Sequence, residues 1–263
     1  MSFTMTKISD TIYQFNEPKE FQPGVWAPYV DAYLYLGSER AAVIDALEVS
    51  TGLYQAMREI TDLPMDVLIT HGHLDHAGAA IPEFYEAGCK IYMDPVDIDL
   101  LKSMIPETKE EWFTPLHDGD VFDLGDKKLE TIACPGHSEG CVVFLDRENK
   151  VMFSGDTIGS GAFWMQIPIA LPLGQFWPHL QRLAEKVSDI PADELMLYPG
   201  HRVQSPVQLT GKYIKDCVDI TGAIMRGERP GTDAEMDMLG KHIVYKEVKQ
   251  GMYQSYCYDP ERL

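Results

Sequence analysis

The sequence predicts a layered α/β domain, and three observations predict it. Short strand-like runs alternate with a few helical stretches, 45% of the 263 residues are hydrophobic, and each polar cluster with chemical promise sits just past a strand. A chain of that length and apolar content can bury a substantial core. No internal repeat, low-complexity tract or linker divides it. Residues 1–263 therefore read as one domain, with a helix and strand extension after about residue 205.

The elements follow in order. Alternation over Tyr33 to Leu36, a polar turn at Gly37 to Arg40, and Ala41 to Ile44 predict a hairpin that delivers Asp45 at a strand end. Ser50 is expected to cap a helix over Thr51 to Thr61, the strand Asp66 to Thr70 comes next, and another helix starts near Ala77. Lys128 to Ala133 is a strand running into Pro135-Gly136-His137. Cys141 to Leu145 and Val151 to Phe153 form a hairpin around Asp146 to Lys150 and end at Ser154-Gly155-Asp156. A helix over Gln175 to Val187 precedes the strand Leu195 to Tyr198, which ends at Pro199-Gly200-His201. A helix near Val207 to Met225 follows, and Ile243 to Val248 and Met252 to Tyr258 look like strands.

Composition excludes several function classes. With 22 Lys plus Arg against 41 Asp plus Glu, the formal charge of -19 repels phosphate backbones and anionic lipid surfaces. The expected partner is a small-molecule substrate, not nucleic acid or membrane, and a homo-oligomer is left open. Met1 to Asp10 does not read as a secretory signal, which points to the cytoplasm. Cys89, Cys134, Cys141, Cys217 and Cys257 are scattered without a Cys-x-x-Cys pair and read as reduced, mostly buried thiols. The most apolar stretch, Gly161 to Trp177, is broken by Gln166, Pro168, Pro172 and Gly174 and falls short of the ~20 residues that a spanning helix needs.

The chemistry is clearest at Thr70-His71-Gly72-His73-Leu74-Asp75-His76. Three imidazoles and a carboxylate within six residues can supply nitrogen and oxygen ligands to zinc, iron or manganese. On a loop turning into a helix, His71 and His73 can face one side while Asp75 and His76 face another, so one segment can serve two ions. Chance produces such a motif in roughly one sequence in a thousand or fewer. Downstream, His137, Asp156 and His201 each follow a strand in a small-residue turn, Pro-Gly-His-Ser, Ser-Gly-Asp-Thr and Pro-Gly-His-Arg. Taken singly each is an ordinary turn residue; taken together, in this order, coincidence is hard to sustain.

That order of motifs, over about residues 30 to 205, resembles the metallo-β-lactamase superfamily. The resemblance implies an αββα sandwich with the site at one edge. It implies one metal on His71, His73 and His137, a second on Asp75, His76 and His201, and Asp156 bridging both. Asp45 matches a family aspartate that supports ligands from behind. A bridging Asp156 is what hydrolases similar to glyoxalase II and the lactone hydrolases carry, whereas true β-lactamases lack it, so β-lactam hydrolysis is a minor alternative. Flavodiiron proteins carry Glu where His73 stands, and no flavin domain is appended, which leaves an iron-dependent oxidoreductase as the other alternative. Nucleases that share the motif are opposed by the acidic balance. After His201 the chain has Lys212, Lys215, Arg226 and Arg229, but Ile243 to Val248 and Met252 to Tyr258 look like strands rather than more helix, so a glutathione site is not carried over.

The expected enzyme is thus a metal-dependent hydrolase of a carboxylic ester, thioester or lactone acting through a hydroxide that bridges two divalent ions, zinc first, with iron or manganese as alternatives. Asp75 and Asp156 are its catalytic carboxylates as well as ligands. Ser138 and Ser154 read as turn-forming hydroxyls, and His117, His179 and His242 lack a ligand-like context. Trp26, Tyr29, Tyr33 and Tyr35 read as core and sheet packing. Ile158 to Trp177, rich in Phe163, Trp164, Met165, Ile167, Ile169, Leu171 and Leu173, is expected to form an apolar wall or lid hinged at Gly159 and Gly161, against the reading that it packs into the core or an interface.

Overall fold

The computed structural model describes residues 3–18, 29–159, 162–202, 205, 207–238, 241–250 and 253–263. Seven strands form the first sheet in chain order: β1 (Thr4–Lys7), β2 (Ile12–Pro18), β3 (Tyr29–Leu36), β4 (Ala41–Ile44), β5 (Met65–Leu68), β6 (Lys90–Met93) and β7 (Phe113–Pro115). β1 to β4 pair antiparallel, and β4 to β7 pair parallel. The parallel half needs crossovers, which α1 (Leu53–Arg58), α2 (Ile81–Glu86) and α3 (Pro95–Met104) supply. A second sheet of β8 (Val121–Asp123), β9 (Lys128–Ala133), β10 (Val142–Asp146), β11 (Val151–Gly155) and β13 (Met196–Pro199) has the order β13-β11-β10-β9-β8.

Alternation of side chains builds the layers. On β4, Ala42 and Ile44 join Tyr33, Tyr35, Phe144 and Phe153 in a core between the two sheets, while Ala41 and Val43 face Leu53, Met57, Phe84 and Leu101 of the outer helices. On β10, Val142 and Phe144 enter the inter-sheet core, while Val143 and Leu145 meet Phe176, Leu180 and Leu183 of α4 (Leu173–Lys186) and Tyr213 and Ile214 of α5 (Gly211–Met225). The result is the four-layer αββα sandwich expected above. Among the described residues no helix is long and apolar enough to cross a membrane.

A third sheet joins the two expected C-terminal strands to two that were not expected. β12 (Ala162–Met165) pairs parallel with β16 (Tyr253–Tyr258), which continues through β15 (Lys241–Gln250) to β14 (Thr232–Met238). This corrects the lid expectation for Ile158 to Trp177. Phe163, Met165, Ile167 and Leu173 are buried in the same core as α4 and α5, so the segment is structural there, with Ile169 exposed at 39%. Gly161 and Trp26 lie outside the described residues. Tyr33 and Tyr35 are buried as expected, but Tyr29 is exposed.

A second correction concerns Ser50. α1 starts at Leu53 behind Gly52, without a side-chain cap. The Ser50 hydroxyl donates to the buried carboxylate of Glu17 on β2, which also accepts from Glu48 N at 2.7 Å, while Gly52 N donates to Glu83 Oε1 at 2.6 Å. Two carboxylates from distant elements therefore hold the backbone that leads into α1, while the helix itself has no side-chain cap. The helix after His76 begins at Ile81 rather than near Ala77. α3 has no counterpart in the sequence reading.

Candidate metal centre

Strand direction gathers the motifs at one edge. β10 is antiparallel to both β9 and β11, and β11 is parallel to β13, so these three strands end together. Bonds between the sheets lock that edge to the first sheet: Val142 N donates to Thr70 O at 2.9 Å, Asp31 N to Gly200 O at 2.7 Å, and Tyr33 Oη to Pro199 O at 2.6 Å. After β5 the chain folds into a turn in which His76 N and Ala77 N both donate to His73 O. This turn separates His71 and His73 from Asp75 and His76.

All seven predicted side chains come together. His71 Nε2 and His137 Nε2 each lie 3.0 Å from His73 Nδ1. Across from them, Asp75 is 3.9 Å from His76 Nε2 and 3.6 Å from His201 Nε2. Asp156 touches both groups, with Oδ2 at 3.1 Å from His201 Nε2 and 3.6 Å from His137 Nε2, and Oδ1 at 3.5 Å from His76 Nε2. His71, His73 and His137 form one set of donor atoms within 4.8 Å of one another, and Asp75, His76 and His201 form another. His117 and His242 are exposed, His242 paired with Asp237, and neither joins these sets.

Whether a cation fits can be tested on polar satisfaction. His76 Nε2 and Asp156 Oδ1 are buried and make no hydrogen bond, meeting each other only as an ion pair at 3.5 Å, a shortfall that a cation between them would answer. Ligand atoms around a tetrahedral ion bound at about 2.0–2.1 Å lie roughly 3.3 Å apart. The donor separations of 3.0 to 3.6 Å between the facing imidazoles and Asp156 match that spacing.

Four of the remaining ring nitrogens are held from behind. His76 Nδ1 meets Asp45 Oδ2 at 2.8 Å, His71 Nδ1 meets Thr70 Oγ1 at 3.1 Å, His137 Nδ1 meets Trp164 O at 3.1 Å, and His201 Nδ1 donates to Tyr29 O. A ring that donates through Nδ1 presents the lone pair of Nε2, the tautomer a metal needs. Asp45 also accepts from Thr70 N and Oγ1 at 2.8 and 2.9 Å. It holds an unusual φ of 61° to do so.

Electrostatics differ between the two sets. Burial pushes His71 well below the usual imidazole range, and burial with the neighbouring His137 takes His73 down to about 3. Burial lowers His137 too, so this trio offers neutral nitrogens ready for a cation. Burial opposes protonation of His76 as well, but Asp156, Asp75 and Asp45 outweigh it and raise it to about 9. His201 is raised against its burial by Asp156, and Asp156 is held well below the carboxylate range by His201 and His76 despite its own burial.

Gly200 is dictated by this packing. A Cβ there would lie 2.3 Å from His76 Cε1 and 2.7 Å from Asp156 Oδ1. Two buried acids were missed by sequence reasoning. Asp31, on β3, accepts from Gln14 Nε2, Asn16 Nδ2 and Arg202 N, each at 2.7 Å, and so fixes the loop of His201. Its position inside an otherwise apolar strand was a usable signal. Asp97, in the first turn of α3, bonds to the loops of His71 and His137, and nothing local marks it.

The metallo-beta-lactamase superfamily profile matches residues 25–201, close to the span of the motifs. The chain belongs to that superfamily. Among its relatives in this superfamily, a hydroxyacylglutathione hydrolase of Haemophilus influenzae is 28% identical over 175 residues, 62% of this chain and 80% of that protein. A human acyl-coenzyme A thioesterase is 27% identical over 202 residues, 64% of this chain and 71% of that protein. The solved structure of a metallo-beta-lactamase from Pontibacter korlensis superposes with a TM-score of 0.65 at 16% identity, covering 84% of this chain and 99% of the other, which shows the shared fold. The superfamily match, together with relatives named for hydrolysis, makes this chain a hydrolase, as its motifs predict.

Proposed function

We propose that this chain hydrolyses a carboxylic ester, thioester or lactone with two divalent ions, zinc first, held by His71, His73 and His137 on one side and Asp75, His76 and His201 on the other, with Asp156 shared. The observation that carries this reading is the pair of orphaned buried atoms, His76 Nε2 and Asp156 Oδ1, at the junction of the two donor sets. Such a pair of cations would activate a water near neutral pH and polarise an acyl carbonyl.

The chain's own part is to place and hold. Asp45, Thr70, Trp164 O and Tyr29 O orient the imidazoles. Asp75 and Asp156 both bring negative charge to Nε2 of His201, and Asp75 is the carboxylate assigned to hold a proton for the departing oxygen or sulfur. No protein nucleophile is required. Ser154 Oγ donates to Ile158 O at 3.0 Å and Ser138 Oγ to Asp97 at 2.6 Å, while burial pushes the Cys141 thiol up to about 12.

The named relatives support the acyl-transfer class, since both names describe cleavage of an acyl group from a thiol carrier. A glutathione or coenzyme site is not part of the proposal. Lys212, Lys215 and Arg226 are engaged with Asp193, Asp219 and Glu228. The proposed setting is cytoplasmic, with a small-molecule substrate and no nucleic-acid or membrane partner.

The test pairs metal analysis with an activity screen of the metal-loaded protein against thioesters, lactones, aryl esters and a β-lactam. About two ions per chain and turnover of an ester, thioester or lactone are expected. A fully active preparation with only trace metal, or activity indifferent to strong chelators, sinks the proposal.

A further inference from the structure

Asp97 sits in the first turn of α3, whose start Asp94 caps by accepting from Val96 N at 3.0 Å. An acid at that position ordinarily faces solvent and serves the helix dipole. Here it is turned inward, with the residue 1% exposed. Its Oδ2 accepts from Gly72 N at 2.7 Å and Ser138 Oγ at 2.6 Å, and its Oδ1 accepts from Gly140 N at 2.8 Å. Gly72 lies between His71 and His73, and Ser138 follows His137. One loop leaves the seven-stranded sheet and the other leaves the five-stranded sheet.

Both loops are shaped around this residue. A Cβ at Gly72 would lie 2.2 Å from the Asp97 carbonyl oxygen, and one at Gly140 would lie 2.6 Å from Asp97 Cγ. The other donor set is held differently, His76 by Asp45 and the His201 loop by Asp31. We propose that Asp97 is a positioning residue that ties together the loops of His71, His73 and His137, and so sets the affinity of that metal position independently of the other. The inference rests on the two-metal reading above.

Asparagine is the informative replacement. A carboxylate can accept two backbone N–H bonds and a hydroxyl at once, whereas an amide has one accepting oxygen. Whichever way it is turned, its NH2 faces the N–H of Gly72 or Gly140. The loops lose a bond on one side while the helix keeps a residue of the same shape.

The experiment is a cobalt(II) titration of the metal-stripped chain, followed by visible absorption and a competing chelator. The wild type is expected to take two equivalents. Asp97→Asn should weaken one of them about 10- to 100-fold and change its absorption, with the other within about threefold, the scale known for supports behind metal ligands. In a His201→Ala background, which keeps the three-histidine position, the remaining equivalent should be the weakened one. Ser138→Ala, which removes one of three bonds, should show the same asymmetry at smaller size and carries the test if Asp97→Asn does not fold. Both equivalents unchanged, or both weakened alike, overturns the proposal. A wild-type chain that takes up no cobalt removes the two-metal reading itself.

Discussion

Phe163→Ala decides whether the segment after Asp156 is core or lid. The ring is 1% exposed, stacks on Tyr256 with centroids 5.0 Å and planes 6° apart, and meets Phe176 at 5.7 Å. A buried aromatic ring removes roughly 150–250 Å² from water. At ~25 cal/mol per Å² that amounts to about 4–6 kcal/mol of transfer free energy. Truncation at such a site costs about 3–5 kcal/mol, because the methyl left behind recovers part of the contact and the cavity collapses incompletely. For a chain of this size the melting temperature should fall by roughly 6–20 °C. The assay is urea and thermal unfolding at fixed metal load, with kcat/KM measured over a series of acyl groups. Stability should drop while the ratios of kcat/KM across the series stay nearly constant. A variant as stable as the wild type whose acyl preference shifts by about 1–3 kcal/mol, the scale of lost pocket contacts, refutes the core reading and restores the lid.

Three further outcomes follow from the centre. Asp156→Ala should reduce turnover by at least about a thousandfold, about 4 kcal/mol of transition-state stabilisation, and lower the content of both metals, whereas His117→Ala, at an exposed site, should do neither. Equal behaviour of the two variants contradicts the ligand assignment. Gly200→Ala should cost metal and activity together, because its methyl would be forced to within 2.3 Å of His76 Cε1; metal analysis that matches the wild type rules this packing out. Asp45→Asn should weaken metal binding about 10- to 100-fold in competition titrations, since one oxygen orients His76 and holds the Thr70 hydroxyl while the other holds Thr70 N. An unchanged affinity means that His76 is oriented by something else.

The amino-acid sequence alone marked the seven side chains that the structure gathers and the strands that present them. The physical reason is locality. His71, His73, Asp75 and His76 fall within six residues, and His137, Asp156 and His201 each sit in a glycine turn at a strand end, so residue chemistry and turn chemistry are both visible in a short window. The strand over Lys128 to Ala133 is recovered residue for residue because glycine turns at Gly125 and Gly136 bound it. Tertiary structure decided whatever depended on a distant partner. Ser50 loses its cap role because Glu17, 33 positions away, reaches its hydroxyl. The apolar run after Asp156 has the composition of either a lid or a core, and only the register of Phe163 with Tyr256 commits it to the core. Nothing local marks Asp97, and only the approach of two loops from two different sheets gives its carboxylate partners. Local windows carry propensity and ligand identity, whereas the partner of a buried polar group is set by which elements the packing brings against it.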